Sequence, residues 1–582
     1  KKNDAFALKL GIEENSMIRL KALTGYVLEE ALYSAGNSYI CRSDLYIFAT
    51  KYINKEIDGK VFNEVIAILE KEKKVYIDEA DNIYDYKMYI QEIELARGIA
   101  KILKGTTDDN KKPPVYDNES IAAEYQKIKE KSHVEYSKEQ EQAILNAFTE
   151  PIIIITGGPG TGKTTIIKAI IEMYFKLNNE NKVLLDYIAL LAPTGKAAKR
   201  LKESTNMPTM TIHKFLGYMG RNNFTYNKYN KTDAKLIIVD EASMMDLSLA
   251  SYLVTSMQPD ARIIIVGDVD QLPSVGPGQV LKDLIDSKEI KTTRLTKIHR
   301  QAEGSNIIKL AHDVNEGILP ETILSKQSDR TFIPTDNEHI ASITVDIVKR
   351  FVNKGYDIKK DIQVLIPMYR GDIGINAINA RIQDEINPLD ETVGEIKYYG
   401  NIFRENDKVI QLVNRAEKGI MNGDVGYISH FKYKNLKING LEVIFDTVKV
   451  NYTLEELEDL SLAYAISVHK AQGGEFDVVV MPFTFQHYIM LRRKLIYTGV
   501  TRAKKTLIMV GDVAAMQQGI KRIEANRKTI LKEKLIEFIK NDSLSSIKQP
   551  LIEEDSLGET FSELDPDDLS LIHISEPTRH SL

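Results

Sequence analysis

Between residue 136 and about 325, continuous apolar runs alternate with helical patterns. "PIIIIT", "YIALLAP", "AKLIIVDE" and "ARIIIVGD" are rich in β-branched residues and lack polar alternation, and amphipathic stretches such as "IIKAIIEMYF" lie between them. Strands buried on both faces read this way, so the pattern predicts a parallel sheet covered by helices on both sides. A second set, "IQVLIPM", "AYAISVHK", "FDVVVMPF" and "TLIMVGD", predicts another such α/β domain over 326–394 and 461–540. The shorter pieces between them, "DKVIQLVN", "GDVGYISHF" and "LEVIFDTVKV", are expected to form a small β insertion over 395–460. Residues 1–105 carry apolar positions at helical spacing, and "SMIRLKALTGYVLEEALYSAG" stops at Gly36. A strand pair around "KVYIDEADNIYDY" would suit a winged-helix unit, with a purely structural helical cap as the alternative. Residues 106–135 are expected to be a linker, because "KGTTDDNKKPP" (104–114) is polar and ends in prolines.

Composition narrows the picture only a little. The chain has 582 residues, enough for several domains, and 77 basic against 83 acidic residues give a net charge of −6. There is no global basic signature, although a nucleic-acid channel needs only a local basic lining. The single cysteine, Cys41, excludes an internal disulfide framework and a cysteine-cluster metal site, and fits a reducing cytosol. No apolar run approaches membrane-spanning length. The chain begins at Lys1 rather than Met, so a missing start is expected. Residues 541–582 are expected to be a disordered acidic tail, and 570–582, "SLIHISEPTRHSL", resembles a translated sequencing adapter and is set aside from the fold.

Candidate chemistry centres on "GGPGTGKTT", residues 157–165. Gly157, Gly162, Lys163 and Thr164 fit G-x-x-x-x-G-K-[ST] between an apolar strand and a helix, the context a phosphate-binding loop requires. Gly157, Gly158, Pro159, Gly160, Thr161, Gly162, Lys163, Thr164 and Thr165 would cradle phosphates with backbone N–H groups at a helix N-terminus. Lys163 would reach the β/γ-phosphates, and Thr164 and Asp240 would hold Mg²⁺. Glu241, next to Asp240 in "LIIVDEAS", could polarise the attacking water. Gln271 in "GDVDQLPSVGPGQVL" sits where a strand end would face the γ-phosphate. Arg300 in "LTKIHRQ" and Arg502 in "YTGVTRAKK" could stabilise charge on the transferred phosphoryl group.

The ordered series "YSKEQEQAI", "GGPGTGKTT", "APTGKAAKR", "TIHKFLG", "VDEASMMD", "GDVDQLPSVGPGQVL", "LTKIHRQ", "AYAISVHKAQGGEFDVVV" and "YTGVTRAKK" resembles superfamily 1 helicases, in particular the RecD-like branch that works without RecB and RecC. The resemblance covers about 136–535, and "LTKIHRQ" departs from it where His299 replaces the usual aromatic. It implies two RecA-like motor domains, an SH3-like insertion, ATP and Mg²⁺ as cofactors, and 5′→3′ movement. By resemblance Gln140 contacts adenine and Glu475 the ribose, while Thr194, Thr211, His213, His469, Lys470 and Gln472 contact single-stranded DNA. Hydroxyls and amides grip phosphates without reading sequence.

The main expectation is an ATP-dependent DNA helicase, monomeric, cytoplasmic and bacterial, acting on single-stranded and tailed duplex DNA in repair or recombination, with a single-strand-binding protein as a further partner. Two alternatives are a translocase that displaces bound proteins and unwinds weakly, and a phosphate-loop switch that binds partners without walking. The switch would not need the second sheet with "HKAQGGEF" and "YTGVTRA". "RNNFTYNKYNK" (221–231), within a hairpin expected at about 218–232, could present Phe224 and Tyr226 to unpaired bases, or be only a surface loop.

Overall fold

The computed structural model describes residues 9, 11, 13, 16–53, 56–105, 113–132, 134–178, 187–220, 223–297, 304–398, 400–415, 418–435, 437–446 and 448–541. Arg300 and the 542–582 tail lie outside the described residues, as do 221 and 222 of the hairpin.

The N-terminal region begins with a helix, Met17–Ala35, capped by the Ser16 side chain and closed by Gly36 in left-handed backbone, φ 68°. Strand β1 (Tyr39–Cys41), helices Arg42–Ile53 and Gly59–Lys71, strands β2 (Val75–Ile77) and β3 (Asn82–Asp85), and helix Tyr86–Lys104 follow. The three strands form an antiparallel sheet in the order β1-β3-β2, β2 and β3 being joined by the 78–81 turn, and the helices pack around it.

The first α/β domain holds β4 (Ile152–Gly157), β5 (Ile188–Ala192), β6 (Met210–Thr211), the hairpin strands β7 (Tyr218–Gly220) and β8 (Asn223–Phe224), β9 (Leu236–Val239), β10 (Arg262–Gly267) and β11 (Lys291–Leu295). Its sheet runs β11-β4-β10-β9-β5-β6, all parallel. The central strands β4, β9 and β10 are buried throughout, as unbroken apolar runs demand when helices cover both faces.

The second α/β domain holds β12 (Arg330–Pro334), β13 (Ile362–Leu365), β21 (Ala465–Ile466), β22 (Phe476–Phe483) and β23 (Ala503–Gly511) in the parallel order β12-β23-β22-β13-β21. Inserted in it are a hairpin, β14 (Ile396–Tyr398) and β15 (Asn401–Phe403), and an antiparallel five-stranded sheet. That sheet comprises β16 (Lys408–Gln411), β17 (Val425–Lys434), β18 (Lys437–Phe445), β19 (Val448–Thr453) and β20 (Leu460–Leu462), ordered β19-β18-β17-β16-β20.

Two expectations need correction. The stretch 106–135 is not merely a linker, because Asn118–Ser132 is a helix that buries Ile121, Tyr125 and Ile128 in the same apolar cluster as the helix after β4. Nor does the second domain own everything to 540. Helix Leu531–Lys540 packs on Tyr86–Lys104 and on helix Val280–Ser287 of the first domain. Residues 522–530 therefore form a strap from the second domain back to the first. Along it, Arg527 donates to Ser274 O, Gly276 O and Gly278 O at 2.6–2.8 Å. Glu92 Oε1 accepts from the N–H groups of Ile530 and Leu531 at 2.8 and 2.9 Å, capping the last helix. Among the described residues no helix is long and apolar enough to cross a membrane.

Candidate nucleotide site and strand-contacting loops

The site forms where parallel strands end. β4 runs into the 157–165 loop, β9 into Asp240, β10 into Asp268, and β5 reaches Thr194 after Pro193. Pairing of Gly267 with Thr156 and of Val239 with Ile265 brings these ends to one edge, outside the carboxyl ends of the strands, where open parallel sheets bind ligands.

The loop is built around missing side chains. A Cβ on Gly157 would stand 2.8 Å from Thr161 Oγ1, and Gly160 and Gly162 take φ values of 73° and 82°. Gly162 is the N-cap of helix Lys163–Leu177 and offers no side-chain cap, which leaves the first-turn N–H groups facing the loop. Thr161 Oγ1 donates to Gly158 O at 2.8 Å, and Lys163 Nζ to the carbonyls of Gly157 and Gly158 at 2.6 and 2.8 Å. Pro159 lies in the turn, and Thr164 and Thr165 sit half-buried in the first helical turn. This cradle fits phosphates, with N–H groups and an ammonium converging at a helix N-terminus.

Thr164 and Asp240 carry oxygen atoms that would suit Mg²⁺. Burial, and then the Glu241 charge, push the Asp240 carboxyl up to about 6, against the pull of Lys163 and Arg200. A cation would relieve that strain on the ionised form. Among the described residues no group of three or more His, Cys, Asp or Glu could hold a metal alone, so phosphate oxygens and water would complete its shell. Glu241 has left-handed backbone, φ 52°, and its Oε1 accepts from Arg200 Nη1 at 3.3 Å.

The amino ends of β22 and β23 complete the site from the second domain. Phe476 N–H donates to Arg502 O at 2.9 Å, which sets Glu475 and Arg502 side by side. The Arg502 guanidinium is buried and donates to Thr498 O and Gly474 O, both at 3.1 Å, and to Thr501 Oγ1 at 3.2 Å. Arg200 links the domains, pairing with Glu475 as well as Glu241. Gln271 is buried, and its Nε2 donates to Asp268 Oδ2 at 3.2 Å.

Several residues are engaged otherwise than the sequence reading expected. Gln140, assigned to adenine, braces the phosphate loop: Nε2 donates to Thr161 O and Oε1 accepts from Ser137 N, both at 3.0 Å. Glu475, assigned to ribose, is in ion pairs with Arg200 and with Lys504 at 3.9 Å. Gln472, assigned to the strand, is buried and donates to Leu272 O of the first domain at 3.0 Å. Thr194 and Thr211 are helix N-caps, accepting from Ala197 N at 3.3 Å and Lys214 N at 3.2 Å. His213 lies 5.5 Å from the Tyr218 ring and 6.0 Å from Phe224, and burial lowers its pKa. His469 and Lys470 form a half-buried 3₁₀ turn. Sequence reading missed Arg200, Asp268, Lys494, Tyr497 and Thr498. All five stood inside or beside quoted motifs, but each acts across the cleft, which no local pattern reports.

Phe224 is buried against Tyr252, with ring centroids 4.6 Å apart, and Tyr226 is half-buried, so neither is free to stack on bases. The hairpin strands are three and two residues long. Its exposed apolar side chains are Tyr218, Met219 and, in the following turn, Tyr229.

A phosphate loop on one parallel sheet, closed by an arginine-bearing edge of a second, defines a two-domain nucleoside-triphosphate motor. The chain matches family models described as an AAA domain over 135–337, a UvrD-like helicase C-terminal domain over 462–510, and the ATP-dependent RecD-like DNA helicase SH3 domain over 378–445. It is 31% identical over 525 residues to the ATP-dependent RecD2 DNA helicase of Deinococcus radiodurans, covering 89% of this chain and 69% of that protein. It is 26% identical to the uncharacterized protein MJ1519 of Methanocaldococcus jannaschii, covering 91% of this chain and 53% of that protein. It is also 27% identical to the RecBCD enzyme subunit RecD of Mycobacterium tuberculosis, covering 66% and 71%. Among solved structures, the Pif1 helicase from Candida albicans aligns at TM-score 0.41 and 18% identity, covering 70% of this chain and 100% of that one. A Bacteroides Pif1 bound to ssDNA aligns at 0.40 and 18%, covering 65% and 92%. The chain belongs to the RecD-like branch of the superfamily 1 ATP-dependent DNA helicases.

Proposed function

We propose that this chain moves 5′→3′ along single-stranded DNA and separates duplex ahead of it, in DNA repair or recombination. The observation that carries the reading is a single nucleotide site divided between two α/β domains. Lys163, Thr164, Asp240, Glu241 and Gln271 come from one, and Glu475 and Arg502 from the other. Bound ATP and Mg²⁺ supply the phosphoryl group to be transferred and the charge that holds it. The chain's residues do the rest. Lys163 leaves the Gly157 and Gly158 carbonyls for phosphate oxygens. Thr164 and Asp240 would hold the cation. Glu241, released from Arg200, orients water, and Arg502 stabilises charge that grows as the bond breaks. Thr194, Thr211, His213, His469 and Lys470 grip the strand, and Gln140, Gln472 and Glu475 re-pair when ligands enter. Arg300 joins the nucleotide set by its motif. Cleft closure and reopening then shift one domain against the other along the strand.

Both halves of the site lie in one chain, so a monomer suffices. Tailed duplexes are the substrate class, a single-strand-binding protein is a fitting partner, and the proposed setting is cytoplasmic and bacterial, the latter in keeping with the Deinococcus radiodurans relative. The short hairpin favours a second reading, a translocase that strips bound proteins and unwinds weakly. Matched duplexes with a 5′ or a 3′ tail, incubated with ATP, decide between them. Separation of the 5′-tailed duplex alone is expected. Separation of the 3′-tailed duplex alone would reverse the polarity, and ATP hydrolysis without separation of either would favour the translocase.

A further inference from the structure

The turn after β10, residues 268–272, is held along its length by the other α/β domain. Lys494, Tyr497 and Thr498 stand at i, i+3 and i+4 on helix Arg493–Val500 and share one face. Lys494 Nζ donates to Val269 O at 2.8 Å, the Tyr497 hydroxyl donates to Asp268 Oδ2 at 2.7 Å, and Thr498 Oγ1 accepts from Leu272 N–H at 2.9 Å. Gln472 adds its bond to Leu272 O. Within this grip sits Gln271, its NH₂ end fixed on the same Asp268 oxygen that Tyr497 contacts. Its other end, Oε1, is buried without a hydrogen-bond partner. Buried acceptors are nearly always satisfied, so one left open at a site marks a place for a ligand's donor. Tyr497 also borders the phosphate loop: a Cβ on Gly158 would lie 3.0 Å from its hydroxyl.

We propose that Asp268 and Tyr497 are positioning residues for ATP hydrolysis, Tyr497 reaching across the cleft to Asp268, which holds the Gln271 amide by its NH₂ end and so keeps Oε1 as the acceptor for a water O–H at the terminal phosphate. The orientation follows from chemistry. A carboxylate accepts from an amide NH₂ and repels an amide oxygen, so Asp268 selects one of the two flips. When the cleft opens, Asp268 loses its cross-domain donor and the 268–272 turn loses its grip. Hydrolytic alignment thus depends on closure by a route separate from Arg502. This inference rests on the reading of the site as one that hydrolyses ATP.

Tyr497→Phe keeps the ring and removes only the hydroxyl. For strand-stimulated ATP hydrolysis, kcat should fall roughly ten- to hundredfold, as small misplacements of reacting groups do, while KM for ATP stays within about twofold. Asp268→Asn should lower kcat similarly. Adding Tyr497→Phe to Gln271→Ala should cost nothing more, because both act through one chain of contacts. In the nucleotide-free protein, amide hydrogen exchange across 268–273 should be faster in Tyr497→Phe than in the unaltered chain. A Tyr497→Phe protein with unchanged kcat and unchanged exchange, or losses that multiply with Gln271→Ala, would overturn the inference. An unaltered chain without strand-stimulated hydrolysis would instead overturn the helicase reading beneath it.

Discussion

The ammonium of Lys163 rests on two glycine carbonyls, a short swing from where phosphate oxygens would lie. Lys163→Ala should therefore abolish strand-stimulated ATP hydrolysis and leave the circular dichroism spectrum and melting midpoint close to those of the unaltered protein, since the carbonyls it leaves border an open loop. Residual turnover near the original level would show that the loop holds something other than a triphosphate. Glu241→Gln keeps the side-chain shape at a residue already in left-handed backbone. It should bind ATP with little change and hydrolyse it very slowly, and loss of nucleotide binding by calorimetry would give Glu241 a structural role instead. Arg502→Ala is a double loss. Hydrolysis should slow far more than ATP binding weakens, and stability should fall by about 1–3 kcal/mol because buried acceptors lose their donor. Denaturant melts alongside nucleotide titrations separate the two effects. At this scale, contiguous chemistry was legible: the phosphate loop and the Asp240–Glu241 pair each lie in one short stretch. Tyr497, Asp268 and Arg200 were not, because Tyr497 and Asp268 stand 229 residues apart and Arg200 reaches Glu475 in the other domain.

Among the elements, strands were easiest to read and sparse helices hardest. β4, β9 and β10 are uninterrupted apolar runs, whereas helix Asn118–Ser132 shows only Ile121, Tyr125 and Ile128 among charged residues, enough for a stripe of i, i+4 and i+7 but easily mistaken for linker. The hairpin is an intermediate case. Alternation located it but not which side chains face outward: Phe224 turns inward onto Tyr252, and Tyr218, Met219 and Tyr229 stand outside at 41%, 70% and 74% exposure. A base stacked on an aromatic ring gains roughly 1–3 kcal/mol, comparable with the ~1.4 kcal/mol of one base-pair step. Replacing Tyr218, Met219 and Tyr229 together by serine should slow duplex separation sharply and leave strand-stimulated ATP hydrolysis intact. If unwinding proceeds at its original rate, the junction is split elsewhere, with the β16–β20 insertion the next place to test.

For the molecule as a whole, the strap decides more than its length implies. Its docking site buries two acids: Glu92 is raised by burial to about 7 and Asp283 by burial to about 6. A raised carboxyl binds its proton in the folded state at pH values where the unfolded chain has released it, so stability declines as pH rises from the unfolded value near 4.5 through about 7. Glu92→Gln removes that dependence and keeps an oxygen for the Ile530 and Leu531 N–H groups. Its melting point should match the unaltered protein near pH 5 and exceed it at pH 8, by up to roughly 3 kcal/mol in stability. Equal melting points at both values would mean that Glu92 titrates normally. None of this was legible beforehand, because helix Leu531–Lys540 looks in sequence like the end of the second domain and only the folded chain shows it crossing back. The crossing also sets a timetable for synthesis. Glu92 and Leu531 are 439 residues apart. At roughly 5–20 residues per second on the ribosome, the groove on helix Tyr86–Lys104 waits about 20–90 s for the helix that covers it. Through that interval the face of helix Tyr86–Lys104 that this helix covers in the folded chain lacks its partner.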